Sequence, residues 1–419
     1  MNQINEESVQ ELRELNKLVY LRPDNGSLID KRTSKSYNFT NTLNQPSSTA
    51  QMIINSGGDA IWGPTSYLKM KYVLEATTNA AGVPFGTGNV LNLIKSVRLT
   101  HRSGEVLEYI QDFNVLAKIK MNYMLRSSDK VLLDSLLSLA ESGVGAVTHE
   151  TSIPMWLLLG CFSSTDSYIP PGFLAGAKLE LELEKSDLAL ITQGAGGGAA
   201  PAALVYKDVE MNLVLDSAQV YDDAMRQLLD EQADVEKSGL QFAYSTWFST
   251  SNAFNGTSVN FDIQQSASVT EKVVTVVRQT DKIGVPTDDS FLYVPVFTDH
   301  QYRLGSQYLP QAPVSSLPEA YSQSLIAFEA WPHQFSGIAG DRGCDVAFSD
   351  FANPAVGKAV FAATLEKSSA GLVYSGEPTN NSRILNFAAS KAAVGHTVNI
   401  FLCYLRVANI MGDNIVVDR

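Results

Sequence analysis

The sequence predicts an all-β protein made of two successive antiparallel β-sandwiches. Apolar and polar residues alternate with a period of two along most segments, and turn-forming residues recur between these segments at short intervals. The same order of elements, strands followed by one amphipathic helix and further strands, occurs in each half of the 419-residue chain. This length suits two domains of about 200 residues each. We therefore expect two tandem copies of one sandwich fold.

The chain begins with a predicted arm, residues 1–35, that contains a helix over residues 6–20. Glu6 and Glu7 would lie in the first turn, where negative charge stabilises the helix dipole. Spacings of three and four residues place four apolar side chains on one face of this helix: Val9, Leu12, Leu15 and Val19. This face would pack either on the chain's own domain or on a neighbouring subunit.

The first sandwich is predicted over residues 36–218. Two strands over residues 92–110 are separated at Ser103–Gly104, which indicates a hairpin because glycine adopts positive φ without steric cost. Residues 127–142 have the spacing of an amphipathic helix. Residues 66–77 alternate as a strand. One face of that strand carries four large side chains: Leu68, Met70, Tyr72 and Leu74.

A second sandwich is predicted over residues 240–419, joined to the first by an acidic amphipathic helix over residues 219–239. The string "YRLGSQYLPQAP", residues 302–313, begins as an alternating strand and ends in prolines. Proline lacks the backbone N–H and cannot continue a central strand. A helix follows at once, with Pro318 in its first turn, where the missing N–H costs nothing.

Composition and charge exclude several classes of protein. The net charge is −13 and no long basic run exists, which argues against direct nucleic-acid binding. Cys161, Cys344 and Cys403 lie far apart in apolar or small-residue settings, and we predict buried free thiols. The N-terminus lacks a secretory signal pattern. The longest strongly apolar run, residues 155–162, is shorter than the ~20 residues that a membrane span needs.

No catalytic, cofactor-binding or metal-binding site is predicted. The sequence contains no GxxxxGK[ST], GxSxG or HExxH motif. Asp299 and His300 are adjacent and point to opposite faces of a strand, so we interpret them as a surface pair. Glu182 and Glu184 share a strand face that we expect to be solvated. The glycine-rich residues 193–203 do not lead into a helix and are interpreted as a surface loop.

Four segments with recognisable patterns occur in order along the chain: the hairpin region 92–116, the apolar run and double proline of residues 153–184, the string 302–313 and the C-terminal strands of residues 375–418. Together they resemble double jelly-roll major capsid proteins, in particular those of polinton-like viruses and virophages in the adenovirus and giant-virus lineage. The chain is short for the giant-virus branch, so long decorated loops are not expected.

The resemblance implies two tandem eight-stranded antiparallel jelly rolls with short helical insertions and an N-terminal helix. The proline corner at Pro310 would turn the chain out of a strand, and the next helix would cover the side of the barrel. The resemblance assigns a structural role to eight residues: Gly104, Pro170, Pro171, Tyr302, Arg303, Gly305, Tyr308 and Pro310.

The resemblance also implies a function. The protein would form pseudo-hexagonal homotrimers that tile the icosahedral shell of a DNA virus, and it would not be an enzyme. Its partners would be other copies of itself, penton and minor capsid proteins and, in some virions, an inner membrane. The alternative is a carbohydrate-binding or carbohydrate-acting β-sandwich protein, which needs aromatic residues along a groove, whereas the four tryptophans of this chain are dispersed.

Overall fold

The computed structural model describes thirteen stretches of the chain: residues 29–76, 89–137, 145–164, 167–186, 204–220, 240–280, 297–330, 344–353, 357–366, 376–379, 383–391, 395–411 and 414–418. Three predicted features lie outside them. These are the N-terminal helix with Val9, Leu12, Leu15 and Val19, the glycine-rich residues 193–203, and residues 221–239 of the predicted linking helix.

The first half of the chain forms two four-stranded antiparallel sheets, ordered β1-β8-β3-β6 and β2-β7-β4-β5. Their strands are β1 Ile29–Asn38, β2 Thr49–Ile54, β3 Ala60–Ala76, β4 Ile94–Thr100, β5 Val106–Ile110, β6 Gly145–Pro154, β7 Ala177–Leu183 and β8 Leu204–Val220. Strand β1 begins seven residues before the predicted start of this domain at residue 36, and β8 ends two residues after its predicted end at residue 218.

The second half forms two further antiparallel sheets. One is ordered β10-β16-β12-β13 and the other β14-β11-β17-β9, with β15 beside β11 and β18 beside β17. Their strands are β9 Leu240–Phe254, β10 Ser258–Ile263, β11 Ala267–Gln279, β12 Phe297–Leu304, β13 Gln307–Val314, β14 Phe361–Thr364, β15 Glu377–Thr379, β16 Leu385–Lys391, β17 His396–Met411 and β18 Asn414–Asp418.

The two halves share one topology. When β9 to β13 are matched with β1 to β5, and β14, β16 and β17 with β6, β7 and β8, the two sheet orders of the first half recur in the second. Eight strands in two antiparallel sheets with these crossovers form a jelly roll. The prediction of two tandem jelly rolls is confirmed. We call β1–β8 barrel 1 and β9–β18 barrel 2.

Short helices occupy equivalent connections of the two barrels. Helices α1, Phe113–Tyr123, and α2, Ser127–Leu137, lie between β5 and β6, whereas α4, Leu317–Ala327, and α5, Phe348–Phe351, lie between β13 and β14. Helix α3, Met155–Leu158, follows β6. The helix that we predicted with Pro318 in its first turn is therefore confirmed as α4, and the one predicted from residue 127 as α2.

Two helical segments were not predicted from the sequence. Helix α1 was missed because it is buried on almost every side, so its sequence lacks the polar face that reveals an amphipathic helix. The apolar run of residues 155–162, which the family resemblance would make a strand, forms α3 and a 3-10 turn, Gly160–Phe162.

The alternating strands fill the barrel interiors as predicted. In β3, Leu68, Met70 and Leu74 are buried, as is Tyr72, whereas their sequence neighbours are more exposed. Burying one such side chain stabilises the fold by about 1.5–3 kcal/mol. The predicted buried thiols are also confirmed, because the three cysteines are free and buried.

Strand β13 corrects the expected proline corner. Pro310 and Pro313 do not leave the sheet; they lie within β13, which pairs with β12 at Tyr302–Leu309 and Arg303–Tyr308. This is possible because β13 is the outer strand of its sheet and because residues 310–313 lie in a register shift between the pairs Tyr302–Leu309 and His300–Val314.

Candidate functional site

An extended arrangement of polar side chains joins the two barrels where β5 meets β9. The Tyr244 hydroxyl of β9 donates to the Leu107 carbonyl oxygen of β5 at 2.8 Å, and the Ser249 hydroxyl donates to the Gln111 carbonyl oxygen at 2.6 Å. Arg406 of β17 donates to the carbonyl oxygens of both Val106 and Leu107, at 2.9 and 2.5 Å. Side chains of barrel 2 thus donate hydrogen bonds to three backbone carbonyl oxygens at the edge of barrel 1. We call this contact the inter-barrel seam.

Glu108 lies at the centre of the inter-barrel seam and is 0% exposed. One carboxylate oxygen accepts a hydrogen bond from the Cys161 backbone N–H at 2.8 Å. The other accepts from the Gly160 backbone N–H at 2.9 Å and from the Thr246 hydroxyl at 2.8 Å. Three donors compensate the buried negative charge, and they come from both barrels.

A buried lysine lies close to this carboxylate. Lys120 of α1 donates to the Leu157 carbonyl oxygen at 2.8 Å and is 5% exposed. Burial lowers the pKa of Lys120 to about 8, and the negative charge of Glu108 acts in the opposite direction. The inter-barrel seam therefore contains a charge of each sign, both removed from water.

Gly160 allows the barrels to approach closely at this point. A β-carbon at Gly160 would lie 1.8 Å from the backbone oxygen of Ser245 in β9. Real β-carbons essentially never come this close to another atom, so a side chain there would force the barrels apart.

A second contact joins the helical insertions of the two barrels. The Asp345 carboxylate of barrel 2 accepts from Lys130 and from Ser127 of α2, each at 2.6 Å. The Tyr123 hydroxyl of α1 donates to the Lys358 carbonyl oxygen at 2.6 Å. Partial burial raises the pKa of Asp345, but the Lys130 and Ser127 hydrogen bonds outweigh it and hold that pKa below its ordinary value.

A small half-open cavity of about 190 Å³ adjoins this second contact, lined in part by Met121, Asn122, Lys130 and Lys358. Ligand sites usually have volumes of roughly 300–1,000 Å³, so this cavity is small for one. Within the described stretches, no group of three or more His, Cys, Asp or Glu side chains is placed to hold a metal ion. In those same residues we find no helix with the length and apolar character of a membrane span.

The residues singled out in the sequence fall into separate places. Five of them, Tyr302, Arg303, Gly305, Tyr308 and Pro310, share the β12–β13 hairpin. Tyr302 is buried, and its hydroxyl lies 2.7 Å from the Thr275 hydroxyl and donates to the Phe361 carbonyl oxygen at 3.0 Å. Arg303 and Tyr308 are exposed. These five residues therefore mark a structural hairpin with an exposed rim.

Gly104 lies in the equivalent hairpin of barrel 1. It has a φ of +90° between β4 and β5, and Gly305 has a φ of +61° between β12 and β13. The two glycines therefore allow topologically equivalent hairpins in the two barrels, through connections of different length, residues 101–105 and 305–306.

Pro170 and Pro171 begin the turn that leads into β7, elsewhere in barrel 1. The Phe173 backbone N–H donates to the Pro170 carbonyl oxygen at 3.2 Å, and Gly172 has a φ of +89°.

Two interpretations of polar residues were wrong. His300 is not part of a surface pair: it is 4% exposed, and its ring lies 4.9 Å from that of Phe361. Burial lowers its pKa to about 4. Glu184 is not solvated either, because it is 6% exposed, and burial raises its pKa. His300 lies in phase with the buried Tyr302 and Leu304 of β12, so the two-residue period places it on the inner face. Glu184 lies one residue beyond the end of β7, where the alternation no longer applies.

The inter-barrel seam was also missed. Glu108 and Lys120 occur singly in the consecutive elements β5 and α1, and Arg406 lies almost 300 residues further along the chain in β17. A charged residue within an otherwise apolar strand, as in "VLEYI", is the one signal that could have indicated Glu108.

Comparison with known proteins gives matches in structure alone, because neither a family model nor a curated protein sequence matches the chain. The PBCV-1 virus capsid matches with a TM-score of 0.64 at 13% identity, over 96% of this chain and 99% of that one. The Faustovirus major capsid protein matches with a TM-score of 0.63 at 9% identity, over 93% and 92%.

The mavirus major capsid protein matches with a TM-score of 0.57 at 12% identity, over 95% of this chain and 92% of that one. These matches extend over both barrels. The chain therefore has the double jelly-roll fold of virophage and giant-virus major capsid proteins.

Proposed function

We propose that this protein is the major capsid protein of an icosahedral DNA virus and that it assembles as a homotrimer. The observation that carries the proposal is the repetition of one jelly-roll topology in two barrels that the buried inter-barrel seam fixes side by side. The structural likeness to viral capsid proteins over both barrels supports the same role.

The two-barrel chain suits a shell. Three chains would bring six similar barrels into one ring, so a threefold assembly would have a nearly hexagonal outline and could tile a flat facet. Such a ring closes through heterologous contacts, in which each copy presents one face to the next copy and a different face to the previous one. The inter-barrel seam would hold the angle within each chain while the ring forms.

The remaining assignments follow from this role. The protein would reside in the virion, act structurally and not as an enzyme, and contact penton and minor capsid proteins or an inner membrane. The predicted N-terminal face of Val9, Leu12, Leu15 and Val19 is our candidate for one of these contacts.

The carbohydrate alternative has less support. Among the tryptophans that could line a sugar-binding groove, Trp247 is buried, and Trp62 and Trp156 are half-buried. Trp331 lies outside the described residues.

Size-exclusion chromatography with light scattering tests the proposal on the purified full chain. We expect a stable species with three times the mass of the 45.5 kDa chain over a range of protein concentrations. A species that stays at the mass of one chain at high concentration, above all one that binds sugars, would contradict the proposed function.

A further inference from the structure

The connection between β9 and β10 is an exposed corner of barrel 2. Strand β9 pairs with β17 in one sheet and β10 pairs with β16 in the other, so the chain crosses between sheets here. The crossing takes three residues, Asn255, Gly256 and Thr257, and all three are exposed. An asparagine followed by glycine therefore lies in a short connection that faces solvent.

The two ends of this corner are held by the connection between β16 and β17. The Thr257 carbonyl oxygen accepts a hydrogen bond from the Lys391 backbone N–H at 2.9 Å. The side-chain oxygen of Asn255 lies beside Gly395, where an added β-carbon would come within 3.0 Å of it. The corner is thus an ordered part of the fold and not a frayed end.

Gly256, between these two ends, has room to move. A β-carbon at this position would meet no atom within 4 Å. Within the described residues, its backbone N–H donates to no backbone oxygen. Glycine also has the widest choice of backbone angles. Rotation of the peptide that joins Asn255 to Gly256 is therefore opposed by neither packing nor strand pairing.

This freedom permits a reaction within the chain. The Gly256 backbone nitrogen attacks the side-chain carbonyl carbon of Asn255, and the new C–N bond closes a succinimide ring. The bond to the side-chain amide nitrogen breaks, and that nitrogen leaves as ammonia with the proton from the Gly256 N–H. Water then opens the ring at either of its carbonyl carbons and leaves aspartate or isoaspartate at position 255.

We propose that Asn255 is a site of spontaneous deamidation in the folded protein, with water as the co-reactant. Each event adds one negative charge to a corner of barrel 2, in a chain whose net charge is already −13. The isoaspartate product also lengthens the backbone of the corner by one carbon. The inference does not rest on the proposed function, because every reacting group belongs to one chain.

Two neighbouring asparagines show why exposure alone does not select the site. Asn252 and Asn260 are exposed as well, but they lie within β9 and β10, whose backbones are paired with β17 and β16. They are followed by Ala253 and Phe261, whose side chains hinder attack by the backbone nitrogen. We expect both to stay intact in the folded chain while Asn255 reacts.

Peptide mapping of the purified full chain tests the proposal. The chain is aged at mildly alkaline pH in native buffer and in urea, and tryptic peptide 238–272 contains all three asparagines. Mass spectrometry with electron-transfer fragmentation locates the exchange of NH for O and separates isoaspartate from aspartate. We expect conversion at Asn255 at similar rates in both conditions, with isoaspartate in excess, and none at Asn252 or Asn260 in native buffer. Conversion at Asn255 in urea alone would overturn the inference.

Gly256→Ala separates the reaction from the stability of the fold. The alanine β-carbon has space, and Gly256 does not occupy the left-handed region, so we expect an unchanged melting temperature. The same β-carbon hinders the attacking nitrogen, so loss of Asn255 should be several-fold slower than in the wild type. On anion exchange, the aged wild type should gain a more strongly retained species that the variant gains more slowly. Equal rates in the two proteins would contradict the proposed reaction.

Discussion

At the residue scale, the buried carboxylate of Glu108 connects the two barrels. It accepts two hydrogen bonds from the 3-10 turn of barrel 1 and one from Thr246 of barrel 2, so all three donors are in place only when the barrels are docked. A buried charge with well-placed donors does not by itself add much stability. Removing its charge while its donors stay in place is costly, because those donors are then left buried and poorly satisfied.

We expect Glu108→Gln to lower the free energy of unfolding by about 2–4 kcal/mol. The glutamine amide nitrogen would face a backbone N–H of Gly160 or Cys161, so two donors would oppose each other. Urea denaturation of the full chain measures this loss. The matched control is Glu182→Gln, because Glu182 is a partly exposed partner of Lys95 and its change should cost less than about 1 kcal/mol. Equal losses in the two variants would refute the role of Glu108.

The buried His300 makes the stability of the fold decrease at acidic pH. Its folded-state pKa of about 4 lies below the ordinary value of 6.5. As pH falls from about 6.5 towards 4, the unfolded chain binds a proton at this site before the folded chain does, so stability decreases. Between pH 7 and pH 5 this difference amounts to about 2 kcal/mol.

We expect His300→Phe to remove this part of the acid sensitivity, because phenylalanine fits among Phe297, Phe361 and Phe387 and does not titrate. Denaturation of both proteins at pH 7 and pH 5 measures the effect. The wild type should lose about 2 kcal/mol more than the variant. The same loss in both proteins would show that His300 is not buried as described.

At the scale of elements, the turn after α3 and strand β9 fix the distance between the barrels. We expect Gly160→Ala to destabilise the chain by about 1–3 kcal/mol or more, because the new methyl group would overlap the Ser245 oxygen. Chemical denaturation checks this against Gly58→Ala, at a position where a β-carbon meets no atom within 4 Å. If the two variants behave alike, the barrels do not approach each other at Gly160.

The elements that sequence alone could predict are those with a local signal. The two-residue alternation of β3 and the glycine turn at Gly104 arise from neighbouring residues, and both predictions were confirmed. Helix α1 could not be found in this way, because burial on nearly all sides removes its polar face. The strand β13 could not be predicted either, because prolines are allowed within a strand only when it lies at a sheet edge, and a local sequence pattern does not show that position.

For helix α2 the sequence predicted the element correctly but not the face that it buries. Its apolar spacing correctly predicted a helix, but Leu132 and Leu136 do not face the barrel. Leu133 and Leu137 provide the inward packing instead. A helical period reveals an apolar face but not what covers it.

At the scale of the whole molecule, the duplication of the jelly roll was indicated by the order of elements, whereas the sheet orders and the inter-barrel seam were not. Strand pairing joins residues that are far apart, such as β1 with β8, and no local pattern specifies it. The inter-barrel seam could not be predicted for the same reason, because Glu108 and Thr246 lie 138 residues apart. A two-barrel chain held at a fixed angle is the property on which the proposed shell depends.

Electron microscopy of the purified full chain tests this account most directly. We predict that class averages viewed along the symmetry axis show a threefold block with six lobes, alternating between barrel 1 and barrel 2. Isolated two-lobed particles at high protein concentration, or an assembly without threefold symmetry, would contradict it.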